Sequence, residues 1–306
     1  SLYLGSRNKL KKTRHGLFLL NMRDTFVSRS LDLYGEWSEQ EVLIFRKLVS
    51  PGDVVIDVGA NLGAFSIPLA KMVTDTGALI AFEPQRQLYQ LLNANFALNE
   101  LAHVFAYNKA VGAESGQIVV PRVNYSHEAN FGGISLEDPW IERGPYEYVE
   151  RVTLDSFLPK ISKCPSFVKV DVEGMELDVL GGSRELVGRC RPVFHVENNC
   201  RKGSRELLEF FHGFGGFVMF WDVHTYYNEN NFEGNKEDVF STDYLSMNVL
   251  VVPAEERREL VEELRRMDMV EIDVAGGRFL LEEYVLNYKD QNIVINQLGT
   301  ADECTR

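Results

Sequence analysis

The sequence predicts an α/β protein built on a doubly wound, mostly parallel sheet of seven strands, carrying an inserted hairpin and loop and a C-terminal extension. Three observations predict it. The run Val54-Val55-Ile56-Asp57-Val58-Gly59-Ala60-Asn61-Leu62-Gly63 joins a buried apolar strand to a glycine turn and a helix start. About sixteen residues past this turn, Leu79-Ile80-Ala81-Phe82-Glu83-Pro84 repeats the pattern as an apolar run ending in an acid. Strand-like and helix-like segments then alternate down the chain, the arrangement that yields parallel pairing.

Residues 1–50 read as a lead-in. Leu17-Phe18-Leu19-Leu20 suits a short strand, and residues 38–48 suit a helix with Ser38 as N-cap and Val42, Ile44, Phe45 and Leu48 apolar. Arg7, Lys9, Lys11, Lys12 and Arg14 make a basic opening, read first as a solvated arm and second as a weak contact to an anionic surface. The sheet domain is expected over 51–252. Its strand at 54–58 precedes a helix over 64–73, a strand over 79–82, a helix over 87–98 and a strand near 104–110. An irregular insertion at about 112–151 follows, with Asn124, Tyr125, His127, Phe131-Gly132-Gly133 and Trp140, and is expected to form a hairpin plus a loop.

Order returns with a strand over 167–170, a helix over 175–186, a strand over 192–196, a helix over 204–212 and strands over 217–221 and 247–252. No helix is evident between the last two, so the closing strand should run antiparallel. The final region, 253–306, begins with a charged helix over 255–267 that keeps Leu260, Val261, Leu264 and Met267 on one stripe. Its tail, with Phe279, Leu280, Tyr284, Val285 and Ile293-Val294-Ile295, is apolar enough to fold onto the domain or onto a second copy, which makes a homodimer a candidate assembly.

At 306 residues and 45% hydrophobic content the chain can bury a full core. A formal net charge of -13 repels a nucleic-acid backbone, so small-molecule or glycan partners are expected and nucleic acid is not. Cys164, Cys190, Cys200 and Cys304 show neither metal spacing nor a disulfide framework, which suits a reducing, cytoplasmic setting. No apolar run reaches the ~20 residues that span a bilayer, and no signal-peptide segment is evident.

The chemistry is expected at the carboxyl ends of the strands, where open parallel sheets bind their ligands. Gly59 and Gly63 permit a tight turn and close approach of backbone, and the following helix start directs free N–H groups at the ligand. Asp57 stands where a pyrophosphate would be repelled, so a cationic, phosphate-free ligand fits better. S-adenosylmethionine, with a sulfonium, an ammonium and a ribose, is such a ligand. Glu83 is placed to take two ribose hydroxyls, with Pro84 beside it.

Asp171 and Glu173 follow one strand, and His195, Glu197, Asn198 and Asn199 end or follow the next. Asp171 is the first candidate for base or metal ligand, Glu173 and His195 are further catalytic candidates, and Asp171, Glu197 and Asn198 form an oxygen-rich set suited to Mg2+. The other reading of Asp171 and Glu173 is helix capping with a salt bridge to Lys169. A loop from Trp221 to Asn228 mixes aromatic faces with polar groups, as saccharide sites do, and supplies Trp221, His224 and Tyr226, with Glu197, as acceptor-binding candidates.

Asp57 to Gly63, Phe82-Glu83-Pro84, the block Val168-Lys169-Val170-Asp171-Val172-Glu173-Gly174-Met175-Glu176-Leu177-Asp178-Val179-Leu180 and Val196-Glu197-Asn198 together resemble the FkbM-type methyltransferases. The resemblance runs from about Tyr34 to Val252. It implies a class I, Rossmann-like, S-adenosylmethionine-dependent O-methyltransferase acting on sugars, glycans or natural products. By the same likeness Tyr34-Gly35-Glu36 closes over the cofactor, Gly59, Asn61 and Gly63 hold its methionine part, Glu83 holds its ribose, and Asp171 lies beside the transferred methyl. Alternatives are a lipid, peptide or RNA acceptor and a cofactor-binding subunit without activity.

Overall fold

The computed structural model describes residues 2–134, 145–199, 203–240, 245–267 and 269–276, and the backbone of 283–288 and 291–296. Trp140, Cys200, Cys304, Phe279 and Leu280 lie outside the described residues.

A three-stranded antiparallel sheet opens the chain: β1 (Leu2–Leu4), β2 (Asn8–Thr13) and β3 (Gly16–Asn21). The basic opening is therefore a paired strand and not a solvated arm. Three of its five charges have acidic partners: Lys9 lies 2.5 Å from Asp32, Lys11 lies 2.8 Å from Glu233 and Arg14 lies 2.7 Å from Glu36. Two helices follow, α1 (Val27–Leu33) and α2 (Glu39–Leu48). Ser38 does occupy the N-cap position of α2, but its hydroxyl donates to Glu41 Oε1 at 2.6 Å instead of capping backbone.

The main sheet contains β4 (Val54–Val58), β5 (Ala78–Phe82) and β6 (Val104–Tyr107), with α3 (Ser66–Val73) and α4 (Arg86–Leu98) between them. The insertion contributes β7 (Ala110–Val111), β8 (Gly116–Pro121) and β9 (Tyr146–Val152), which form a separate three-stranded sheet with an antiparallel β8–β9 pair, the expected hairpin. The main sheet resumes with β10 (Phe167–Val170), then α5 (Glu176–Gly181), α6 (Arg184–Cys190), β11 (Val193–Glu197), α7 (Ser204–Phe214), β12 (Phe217–Thr225) and β13 (Leu245–Pro253). Helix α8 (Arg258–Arg266) and a hairpin of β14 (Glu283–Tyr288) and β15 (Gln291–Asn296) complete the description.

The strand order is β12-β13-β11-β10-β4-β5-β6. Only β13 runs against its neighbours in this sheet, and it sits between β11 and β12. The last strand is thus antiparallel as expected, inserted beside the edge instead of closing it. Every residue of β4 and β10 is buried on both faces, as parallel strands covered by two helical layers must be. Alternation then divides the core. Val55, Leu79, Phe167, Val193, Phe220 and Leu250 pack on the face covered by α2, α3 and α8, and Ile56, Ile80, Val168, Phe194, Trp221 and Val249 pack on the face covered by α5, α6 and α7.

Three expectations are corrected. The helix expected over 175–186 is two helices, since Gly182 lies so close to the insertion that a Cβ there would stand 2.1 Å from the carbonyl oxygen of Gly112. The strand ending at Trp221 in the sequence reading continues to Thr225, held by nine paired positions along β13. Cys164 and Cys190 form a disulfide, which bridges the approach to β10 and the end of α6. The expectation that the four cysteines carry no disulfide framework is thereby corrected for this pair. No helix among the described residues is long and apolar enough to cross a membrane.

Candidate functional site

The ends of β4 and β5 are tied together by backbone. The Gly59 and Ala60 N–H groups both donate to the carbonyl of Phe82, at 3.0 and 2.9 Å. Gly59 takes φ +84° and Gly63 φ +98°, with Asn61 also left-handed between them, so the turn uses the backbone freedom that the glycines supply. Helix α3 starts at Ser66, two residues later than expected.

Glu83 faces this turn. Its Oε2 accepts the Asn61 N–H and its Oε1 the Gln85 N–H, both at 2.8 Å. Each carboxylate oxygen keeps a lone pair for a ligand hydroxyl. Burial, with Asp57 and Asp171 adding negative charge, pushes the Glu83 carboxyl up to about 7 against two lowering hydrogen bonds. The insertion covers this end: Gln85 Nε2 donates to the Phe131 carbonyl, and Tyr125 donates to Gln85 Oε1. Gly132 packs against Asn61. The Pro84 carbonyl accepts from Asn108.

Asp57, on β4, is buried; Ser66 donates to its Oδ2 at 2.5 Å, and its Oδ1 has no hydrogen-bond partner. Burial raises its pKa, with Lys169 and Ser66 opposing. Lys169, buried on the neighbouring strand, donates to Asp171 Oδ2 at 2.8 Å.

At the ends of β10 and β11, Asp171, Glu173 and Glu197 bring carboxylate oxygens within 4.8 Å of one another. Burial beside the other acids pushes Glu173 up to about 8 and Glu197 well above its ordinary value. Helix capping explains neither Asp171 nor Glu173, because Glu176 Oε1 accepts the Val172 and Gly174 N–H groups. Asn198 is buried with its amide donating to Ser204, so Glu173 is the third carboxylate of the cluster where Asn198 was expected.

The remaining expected residues separate. His195 is buried, with Nε2 2.8 Å from Asp222 Oδ2, and Asp222 Oδ1 lies 2.5 Å from His224. Trp221 points to the opposite face and packs in the apolar core under α7, so it lines no loop and is withdrawn as an acceptor residue. Tyr226 stacks on Trp37 with centroids 4.8 Å apart, and its buried hydroxyl is raised by burial and by the charges of Glu197, Glu41, Asp171 and Glu173. Tyr34 packs in an apolar cluster with Trp37 and Tyr226, and the polar groups of Tyr34 and Glu36 are bonded within the protein. The Tyr34 hydroxyl bonds Glu237 and Val239, and Glu36 takes Arg14, Asn228 and the Phe232 N–H.

The salt bridge expected at Lys169 forms with Asp171, and Asp222, expected in a loop, lies in β12. Lys169 and Asp222 each stand alone as charges within an apolar strand, a signal that a burial-minded reading can use, since a buried charge requires a partner.

Residues 57–233 match the family described as Methyltransferase FkbM domain. Among solved structures, the chain is 13% identical to methyltransferase FkbM from Methylobacillus flagellatus KT, with a TM-score of 0.41, covering 74% of this chain and 55% of that one. It is 14% identical to a SAM-dependent O-methyltransferase from Thermotoga maritima (TM-score 0.42, 81% and 78% covered). It is 15% identical to TYW2 from M. jannaschii in complex with AdoMet (TM-score 0.42, 82% and 87% covered). No match to a curated protein was found.

Proposed function

The chain belongs to the FkbM methyltransferase domain family, and from that premise we propose that it transfers the methyl of S-adenosylmethionine to a hydroxyl of a sugar, glycan or natural-product acceptor. The observation that carries this reading is the convergence at one sheet rim of a glycine turn, a ribose-competent glutamate and three further carboxylates. The donor set fits the cofactor: the carboxylates complement a cation, Asp57 keeps one buried oxygen unpartnered, and the Gly59 turn leaves no room for a side chain.

When bound, S-adenosylmethionine supplies an electrophilic methyl on a sulfonium. Glu83 would orient the ribose by accepting its hydroxyls, and Gly59, Asn61 and Gly63 would frame the methionine end with backbone. Asp171 would sit beside the reacting carbon, where it or Glu173 can take the acceptor proton or stabilise the alkoxide. The insertion, through Phe131 and Gly132, would exclude water above the turn, and Tyr226 with Trp37 would offer the acceptor an aromatic wall. Alignment of nucleophile, carbon and leaving sulfur would account for most of the acceleration.

A second reading adds Mg2+, favoured by the three clustered carboxylates. Asp171, Glu173 and Glu197 would hold it, and it would supply positive charge to the developing alkoxide. One experiment addresses both readings: the protein is incubated with labelled S-adenosylmethionine and glycan, lipid and RNA fractions, with and without a chelator. Label in the glycan fraction is expected. Label confined to lipid or RNA would overturn the acceptor class, and full activity with the chelator would remove the metal.

A further inference from the structure

Lys169 occupies the middle of a four-residue apolar strand and is 2% exposed. An ammonium in that position is tolerable only with opposite charge around it. Alternation puts Lys169 and Asp171 on the same face of β10, and parallel pairing puts Asp57 of β4 directly beside Lys169. The ammonium meets three groups of the site. It donates to Asp171 Oδ2 at 2.8 Å, stands 4.7 Å from the centroid of the Phe65 ring, and feels the charge of Asp57. Burial alone would lower the lysine's pKa; Asp171 and Asp57 outweigh that and hold it above its ordinary value. Asp57 in turn spends only one oxygen on Ser66 and leaves Oδ1 without a hydrogen-bond partner.

The same two carboxylates are the ones a sulfonium donor would meet, Asp57 at the root of the glycine turn and Asp171 beside the reacting carbon. We infer that Lys169 is a positioning residue that fixes the Asp171 carboxylate and acts as an internal counter-ion, setting how strongly the pocket distinguishes the cationic donor from its neutral thioether product. The inference deepens the reading above and rests on S-adenosylmethionine being the donor. Methyl transfer removes the ligand's sulfonium charge. A rim carrying only acids would hold the donor far more tightly than the product; a resident cation shares the field of those acids and evens the two affinities.

The test needs no acceptor. Calorimetry gives the Kd of S-adenosylmethionine and of S-adenosylhomocysteine for the wild type, Lys169→Met and Lys169→Arg, each checked for a cooperative unfolding transition. Lys169→Met should raise the preference for the sulfonium compound about tenfold, since one nearby repulsive charge is gone. Lys169→Arg, which keeps the charge, should hold the ratio within about twofold of wild type. A purely structural lysine would weaken both ligands alike and leave the ratio unmoved, and that outcome, or an equal shift in both variants, overturns the role. Should Lys169→Met not fold, Lys169→Gln carries the same expectation. Independently of any variant, a crystal structure of the wild type with S-adenosylmethionine bound must retain the Lys169–Asp171 hydrogen bond; its loss refutes the inference. Wild-type protein that takes up neither compound overturns the donor itself and this role with it, whereas uptake of both with an unmoved ratio in Lys169→Met overturns the role of Lys169 alone.

Discussion

A Cβ on Gly59 would stand 1.7 Å from the carbonyl oxygen of Asp171, so the turn after β4 and the end of β10 are in direct backbone contact. Backbone cannot yield as a side-chain tip can, and φ at Gly59 is +84°. Gly59→Ala therefore combines strain with overpacking and should cost on the order of 3 kcal/mol or more. Denaturant unfolding checks this. A variant as stable as wild type, with unchanged donor affinity, would show that the two strand ends are free to separate.

Glu83 sets a pH dependence. Its carboxyl is raised by burial from 4.5 to about 7, so it contributes stability that is fully present below pH 4.5 and is lost as pH rises through about 7. The gap corresponds to roughly 3 kcal/mol. Ribose hydroxyls donate to the ionised form, so donor affinity should move the other way and rise about tenfold between pH 6 and 8. Glu83→Gln should bind more weakly at pH 8 and lose that rise. Calorimetry across this range decides it, and parallel curves for variant and wild type would free Glu83 from the ribose.

Asp171→Asn should leave donor affinity within about tenfold while turnover falls by roughly two to four powers of ten, as expected for a group that handles a proton or an alkoxide in the transition state. Steady-state rates with the acceptor fraction that takes up label provide the comparison. An unchanged rate would remove Asp171 from the mechanism and pass its role to Glu173 or Glu197, whose oxygens lie in the same cluster.

The strands β4, β5 and β10 were legible because each is an apolar run that ends in a glycine or an acid, and the insertion was legible because periodicity fails there. Of the first sheet only β3 was, as the strand expected at Leu17 to Leu20. Asn8–Thr13 places lysines at alternate positions, and what neutralises them, Asp32 and Glu233, is remote along the chain. The end of β12 was hidden for a related reason: Asp222 and His224 read as loop residues until the sheet brings His195 against Asp222, which His224 also faces. Glu173 carried two readings in the sequence, catalytic acid first and helix cap second, and the geometry of Glu176 removes the second. In the first sheet and at the end of β12 local pattern was overruled by a charge partner from another element.

The disulfide between Cys164 and Cys190 closes a loop with a sequence separation of 26 residues, which by chain entropy stabilises the fold by about 3 kcal/mol. Replacing both cysteines by serine should lower the denaturation midpoint accordingly, and reductant should lower the wild type while leaving the variant unmoved. Equal midpoints in all four conditions would mean that the bond does not form in solution.

Asp222 is clamped between two histidines, 2.8 Å from His195 and 2.5 Å from His224, with 1% of its side chain exposed. Burial would raise its carboxyl, but His224 and His195 drive it below the ordinary 3.8. Burial would likewise lower His224, but Asp222 outweighs it and lifts the imidazole above 6.5. The carboxylate's contribution is present above pH 3.8 and is lost as pH falls through its depressed value. The imidazole's contribution is full below pH 6.5 and is lost as pH rises through its elevated value. Both hold together between roughly pH 4 and 6.5. Asp222→Asn leaves His224 without its counter-charge and should cost about 3 kcal/mol near pH 5, with the difference from wild type shrinking toward pH 9. Urea denaturation at pH 5, 7 and 9 measures it. A difference that is constant across the three would mean that Asp222 serves through packing and neutral hydrogen bonds, with His224 uncharged throughout.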